Sequence, residues 1–144
     1  MKLLKFAVPA LLFVILNLQS TSGANPPVVN SDIYGRWRIS KVLGASDIAA
    51  MSDKEAQGFV GKTVTITKNV FVFNGETCDA PSYERSQDDL VKSFRELGNM
   101  RVAALGLPDP VTSIDARCTH LFLKKSGVIV VHWNGFYFDA IKRR

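Results

Sequence analysis

Asn134-Gly135, set between the runs Val128–Trp133 and Phe136–Ile141, constrains this chain more than any other dipeptide in it. Both residues tolerate the positive φ of a type I′ turn, whose twist matches that of the strands it joins. The result is a tight antiparallel hairpin. Its register pairs Trp133 with Phe136, Val131 with Phe138 and Ile129 with Ala140 on one apolar face, the side expected to meet a core. His132, Tyr137, Val130 and Asp139 fall on the other face, which this reading turns toward solvent.

The same grammar recurs along the chain. Lys68-Asn69 joins the β-branched run Lys62–Thr67 to Val70–Phe73, and Asn74-Gly75 turns that run back into Glu76, Thr77 and Cys78. Val111–Cys118 and Thr119–Lys124 read as strands leading through Ser126-Gly127 into the last hairpin. From Ile33 onward a first strand alternates, with Trp37 and Ile39 directed inward and Arg36 and Arg38 outward.

Two stretches break the period of two. Between Ser46 and Phe59, Ser52 and Glu55 form a capping box for a short helix that Gly61 stops. After a strand fragment at Ser82–Glu84, Ser86 and Asp89 resemble a second helix start. Leu90, Phe94 and Leu97 then recur at helical spacing up to Gly98. Met100–Leu107 continues as another turn or two until Pro108-Asp109-Pro110 interrupts it. The expected fold is therefore α+β and mainly antiparallel β. It is a small curled sheet or barrel-like meander of about six to eight strands, with two short helices and one disulfide.

The first residues give an address. Lys2 and Lys5 precede an apolar run from Phe6 to Leu18, and Ser22-Gly23-Ala24 supplies small side chains before a cleavage point ahead of Asn25. This is the tripartite pattern of a signal peptide over residues 1–24. It leaves residues 25–144 as a single β domain, secreted or periplasmic, with no later stretch apolar enough to make a stable span. Losing Lys2 and Lys5 lowers the formal charge from +5 to +3, a weak imbalance gathered at Lys142-Arg143-Arg144 and Lys124-Lys125.

In such a compartment the two cysteines, Cys78 and Cys118, are expected to pair. Closing the intervening loop would restrict the unfolded chain by roughly 4 kcal/mol in the entropy model. The bond is structural in this reading, since redox pairs more often sit as C-x-x-C.

Gly35-x-Trp37 on a first strand resembles the opening of lipocalin-like proteins. The helix, the hairpins, Gly75-Glu76-Thr77-Cys78 and Tyr83 are similar to exported META-type domains. The resemblance implies a small exported β-barrel, and binding or inhibition in preference to catalysis.

Residues that could carry chemistry are few. His132 lies opposite Tyr137 and diagonal to Asp139, so a polar surface site can form there, with Asp139 placed to orient the imidazole. No nucleophile motif accompanies them. His120 and His132 are too few for zinc, and neither metal nor cofactor is expected. Asp88-Asp89 and Asp53 with Glu55 read as helix-start charges.

Arg36, Arg38 and Lys41 make a basic binding edge, better suited to an acidic protein surface than to nucleic acid, which export disfavours. Phe71, Phe73, Phe122, Phe136, Phe138, Trp37 and Trp133 either fill the interior or line a cavity for a small apolar ligand. The expected function is that of an exported, non-enzymatic binding protein. It would recognise or inhibit a protein or other envelope macromolecule through loops and the insertion between Pro81 and Pro110. A lipocalin-like carrier is the alternative, followed by a hydrolase using His132.

Overall fold

A computed structural model describes residues 29–144, so the expected signal peptide lies outside the described residues. Nine strands form one antiparallel sheet in the order β4-β3-β2-β1-β9-β8-β7-β6-β5, curled into a half-barrel. They are β1 (Gly35–Ala45), β2 (Thr63–Ile66), β3 (Val70–Phe73), β4 (Glu76–Asp79), β5 (Glu84–Asp88), β6 (Val111–Asp115), β7 (His120–Lys125), β8 (Val128–Trp133) and β9 (Phe136–Lys142). The helices are α1 (Asp53–Gln57) and α2 (Leu90–Glu96), with a 3₁₀ turn at Val102–Ala104.

The strand count exceeds the six to eight expected, and β5 is the strand whose extent the sequence concealed. Glu84-Arg85-Ser86-Gln87-Asp88 has no apolar alternation, yet it pairs with β6 from Glu84↔Asp115 to Asp88↔Val111. An edge strand can be polar on both faces. Ser86 therefore belongs to a strand, and only Asp89 caps α2, accepting from the Lys92 amide at 2.8 Å. Asp88 accepts from the hydroxyls of Ser86 and Ser113, which hold its carboxyl below the usual range.

The hairpin registers obey their turns. Val131↔Phe138, Ile129↔Ala140 and Phe71↔Cys78 pair as expected, and Asn74, Gly75, Asn134 and Gly135 all carry positive φ. The capping box of α1 is complete: Glu55 accepts from the Ser52 amide at 2.8 Å while its own amide donates to the Ser52 hydroxyl. These bonds to Ser52 lower the Glu55 pKa.

The concave face carries the larger core, centred on Trp37, Ile39, Phe71, Phe73, Trp133 and Phe138. The open side is closed by the Cys78–Cys118 disulfide, which joins edge strand β4 to the β6–β7 loop with Cα atoms 6.2 Å apart. Tyr83, in the β4–β5 linker, donates its hydroxyl to the Val70 carbonyl at 3.3 Å. Burial raises the Tyr83 pKa. Among the described residues no helix is long and apolar enough to cross a membrane.

The convex face of β6–β9 is not open to solvent, contrary to the expectation for Tyr137 and Val130. The α2 segment and the turn after it fold back over it, so Phe94, Leu105, Val111, Phe122, Val130 and Tyr137 form a second core, each fully buried. Seating Phe94 and Leu105 on the sheet removes both apolar surfaces from water. Phe122 consequently belongs to this second core and not to the concave interior.

Candidate functional site

A β-bulge decides which side chains share the convex face at β1. Cα pairing steps from Ile39↔Ala140 to Lys41↔Asp139, leaving Ser40 as the additional residue. Strict alternation would have put Lys41 on the side of Trp37 and Ile39; the bulge moves it to the side of Arg36 and Arg38. All three cations are exposed. None forms an ion pair among the described residues, where Arg85–Asp32, His120–Asp115 and Lys124–Asp139 are the close contacts between opposite charges. Around them the face is uncovered: Arg36 stands opposite Thr65, Arg38 opposite Thr63 on one side and the exposed Ile141 on the other.

The His132, Tyr137 and Asp139 trio is only partly assembled. His132 and Tyr137 stack with ring centroids 4.6 Å apart and planes 19° apart. Asp139 turns away from them, its two oxygens taking hydrogen bonds from the Lys124 ammonium at 2.9 and 3.0 Å. The histidine thus has a stacking partner and no orienting carboxylate. Its Nε2 is buried without a hydrogen-bond partner among the described residues. Burial, and then the charge of His120 with its ring 6.4 Å away, push the His132 pKa down to about 4, so the ring is neutral at physiological pH.

Tyr137 is committed to structure. Its hydroxyl donates to the Leu97 carbonyl at 3.4 Å and accepts from Ser46, tying β9 to the end of α2. Burial raises its pKa despite the opposing effect of the Ser46 bond. His120 is partly exposed and lies 3.9 Å from Asp115. Among the described residues no group of three or more His, Cys, Asp or Glu side chains converges in a way that would hold a metal ion.

The concave aromatics are in mutual contact. Phe73 meets Phe59, Trp133 and Phe138 at centroid separations of 5.2, 5.3 and 6.2 Å, and Phe71 lies 6.1 Å from Trp133. These rings pack against one another within the larger core.

Two further features escaped the sequence. Arg143 and Arg144 lie beside Arg36 around an open cleft of about 340 Å³. Pairing of β9 with β1 brings them together, and no local pattern encodes that contact. A second cleft, of about 450 Å³, lies at the opposite sheet end by the disulfide and includes Arg117, His120 and His132. The chain matches no protein-family model, no curated protein and no solved structure.

Proposed function

We propose that this is an exported, non-enzymatic binding protein that recognises another macromolecule, in the cell envelope or outside the cell, through the uncovered convex face of β1. The single observation that carries this reading is the placement of Arg36, Arg38 and Lys41 on one exposed face, without ion pairs among the described residues. Cations left unpaired on a rigid sheet keep their full field for a partner of opposite charge. The disulfide braces that sheet and α2 covers its other half, so little reorganisation accompanies binding. The insertion between Pro81 and Pro110, the first choice as a recognition element from sequence, spends most of its large apolar residues on the second core. The aromatic packing of the concave face argues against the carrier, and the Asp139–Lys124 pair leaves His132 without the orienter that a hydrolase would use.

The test is a pull-down from the envelope and culture medium of the source cells, using the protein expressed with its leader as bait. A partner retained by the native protein and lost in R36E/R38E/K41E, with unchanged circular dichroism, is the expected result. Equal retention by the charge-reversed variant would overturn the reading.

A further inference from the structure

Three basic groups far apart in the chain meet at one end of the sheet. The Arg143 amide donates to the Arg36 carbonyl at 2.8 Å and the Lys142 amide donates to the Gly127 carbonyl at 2.9 Å. The end of β9 is thereby held between the start of β1 and the β7–β8 turn. Arg36, Arg143 and Arg144 line one open cleft, and Lys124, Lys125, Lys142, Arg143 and Arg144 contribute to the adjoining one.

Some of these charges are already engaged. Lys124 is paired with Asp139, and Lys142 donates to the Asp32 carbonyl at 2.8 Å while lying 5.2 Å over the Trp37 ring. The nearby carboxylates are engaged as well, Asp32 with Arg85 at 2.7 Å and Asp139 with Lys124. Arg36, Lys125, Arg143 and Arg144 remain without an ion pair among the described residues. Like charges gathered this closely repel one another, and a bound anion relieves that repulsion.

The guanidinium fork selects the ligand chemistry. Each arginine offers paired N–H donors in a plane, matched to two oxygens of one anion. A carboxylate has only two oxygens to share among the arginines of this cleft, whereas a phosphate group presents oxygens in several directions. We propose that the Arg36–Arg143–Arg144 cleft binds a phosphate group, with Lys125 reaching a second phosphate nearby. This rests on the binding role proposed above and names the partner's chemistry.

The experiment measures binding of the purified protein to short-chain polyphosphate, to phosphatidylcholine vesicles with and without phosphatidylglycerol, and to polyglutamate. Binding to polyphosphate or to the phosphatidylglycerol vesicles, weakened about tenfold or more in R143Q/R144Q, is expected; each lost charge-assisted contact is of that order. Which of the two is bound identifies the source of the phosphate. R143K/R144K should restore only part of the affinity, because it keeps the charges and loses the forks.

Absence of binding in both phosphate arms, polyglutamate binding as tight as polyphosphate, or full restoration by the lysine variant would each overturn the phosphate assignment. Arg38 and Lys41 lie outside the Arg36–Arg143–Arg144 cleft. A partner lost in R38E/K41E, together with no binding in either phosphate arm, would therefore leave the binding role standing while this inference falls.

Discussion

The Phe94 ring of α2 lies 5.4 Å from the Tyr137 ring of β9, centroid to centroid, on the convex side of the sheet. That contact, with Phe94 also 4.6 Å from Phe122, holds the helical insertion against β7–β9. Phe94→Ala should cost about 3–5 kcal/mol, the usual range for removing a buried phenyl ring. Urea unfolding checks the magnitude. Increased binding of a hydrophobic dye before the main transition would show that the insertion lifts first and uncovers the second core.

Two Asn-Gly turns of identical local chemistry should respond differently to the same substitution. Gly75 has φ +79° with open space where a Cβ would go, so Gly75→Ala should cost only backbone strain, roughly 1 kcal/mol. Gly135 has φ +84°, and its Cβ would stand 2.6 Å from the Ala49 Cα and 2.7 Å from the Ile48 carbonyl oxygen. The Ser46 and Ala50 amides donate to the Gly135 and Asn134 carbonyls there. Gly135→Ala should lose a further ~1–3 kcal/mol through overpacking. Equal melting temperatures for the two variants would contradict this packing of residues 46–50 on the hairpin tip.

Acid should weaken the fold through His132. Its folded pKa of about 4 lies below the ordinary 6.5, so between these values the unfolded chain takes up a proton that the native ring refuses. The contribution is fully present above pH 6.5 and is lost as pH falls toward 4, an effect of ~1–2 kcal/mol after allowance for the ring's partial exposure. His132→Phe keeps the stacking surface toward Tyr137 and removes the buried nitrogen that lacks a partner. The variant's melting temperature should fall less than the native protein's between about pH 7 and pH 5, as read by circular dichroism.

Replacing both cysteines by serine should lower stability by about 2–4 kcal/mol, since the unfolded chain would no longer be cross-linked between Cys78 and Cys118. The same bond closes the open side of the half-barrel, so the double variant should also exchange the amide hydrogens of edge strand β4 faster than those of β8. Uniform exchange across both strands would show that the disulfide does not hold that edge.

The range of the forces involved separates the features legible in the chain from those that were not. Turn chemistry acts over a few residues: Asn134-Gly135 determined a register, and Ser52 with Glu55 determined a helix start, before any tertiary contact was known. Trp37 and Ile39 were identifiable as core by alternation alone. Lys41 shows where alternation stops working, because Ser40 enters the ladder as an extra residue and reverses the facing of the residues after it. Polar Glu84–Asp88 carried no periodic signal, since its strand conformation comes from pairing with β6.

Sequence by itself determined the hairpins, the helix caps at Ser52 and Asp89 and the cysteine pair to be joined, all consequences of local backbone preference or of the identity of two residues. Only the tertiary structure decided that α2 buries Tyr137, that Asp139 serves Lys124 and not His132, and that Arg36 meets Arg143 and Arg144. Those outcomes depend on which surfaces the curled sheet brings into contact, and local conformational preference does not encode such encounters.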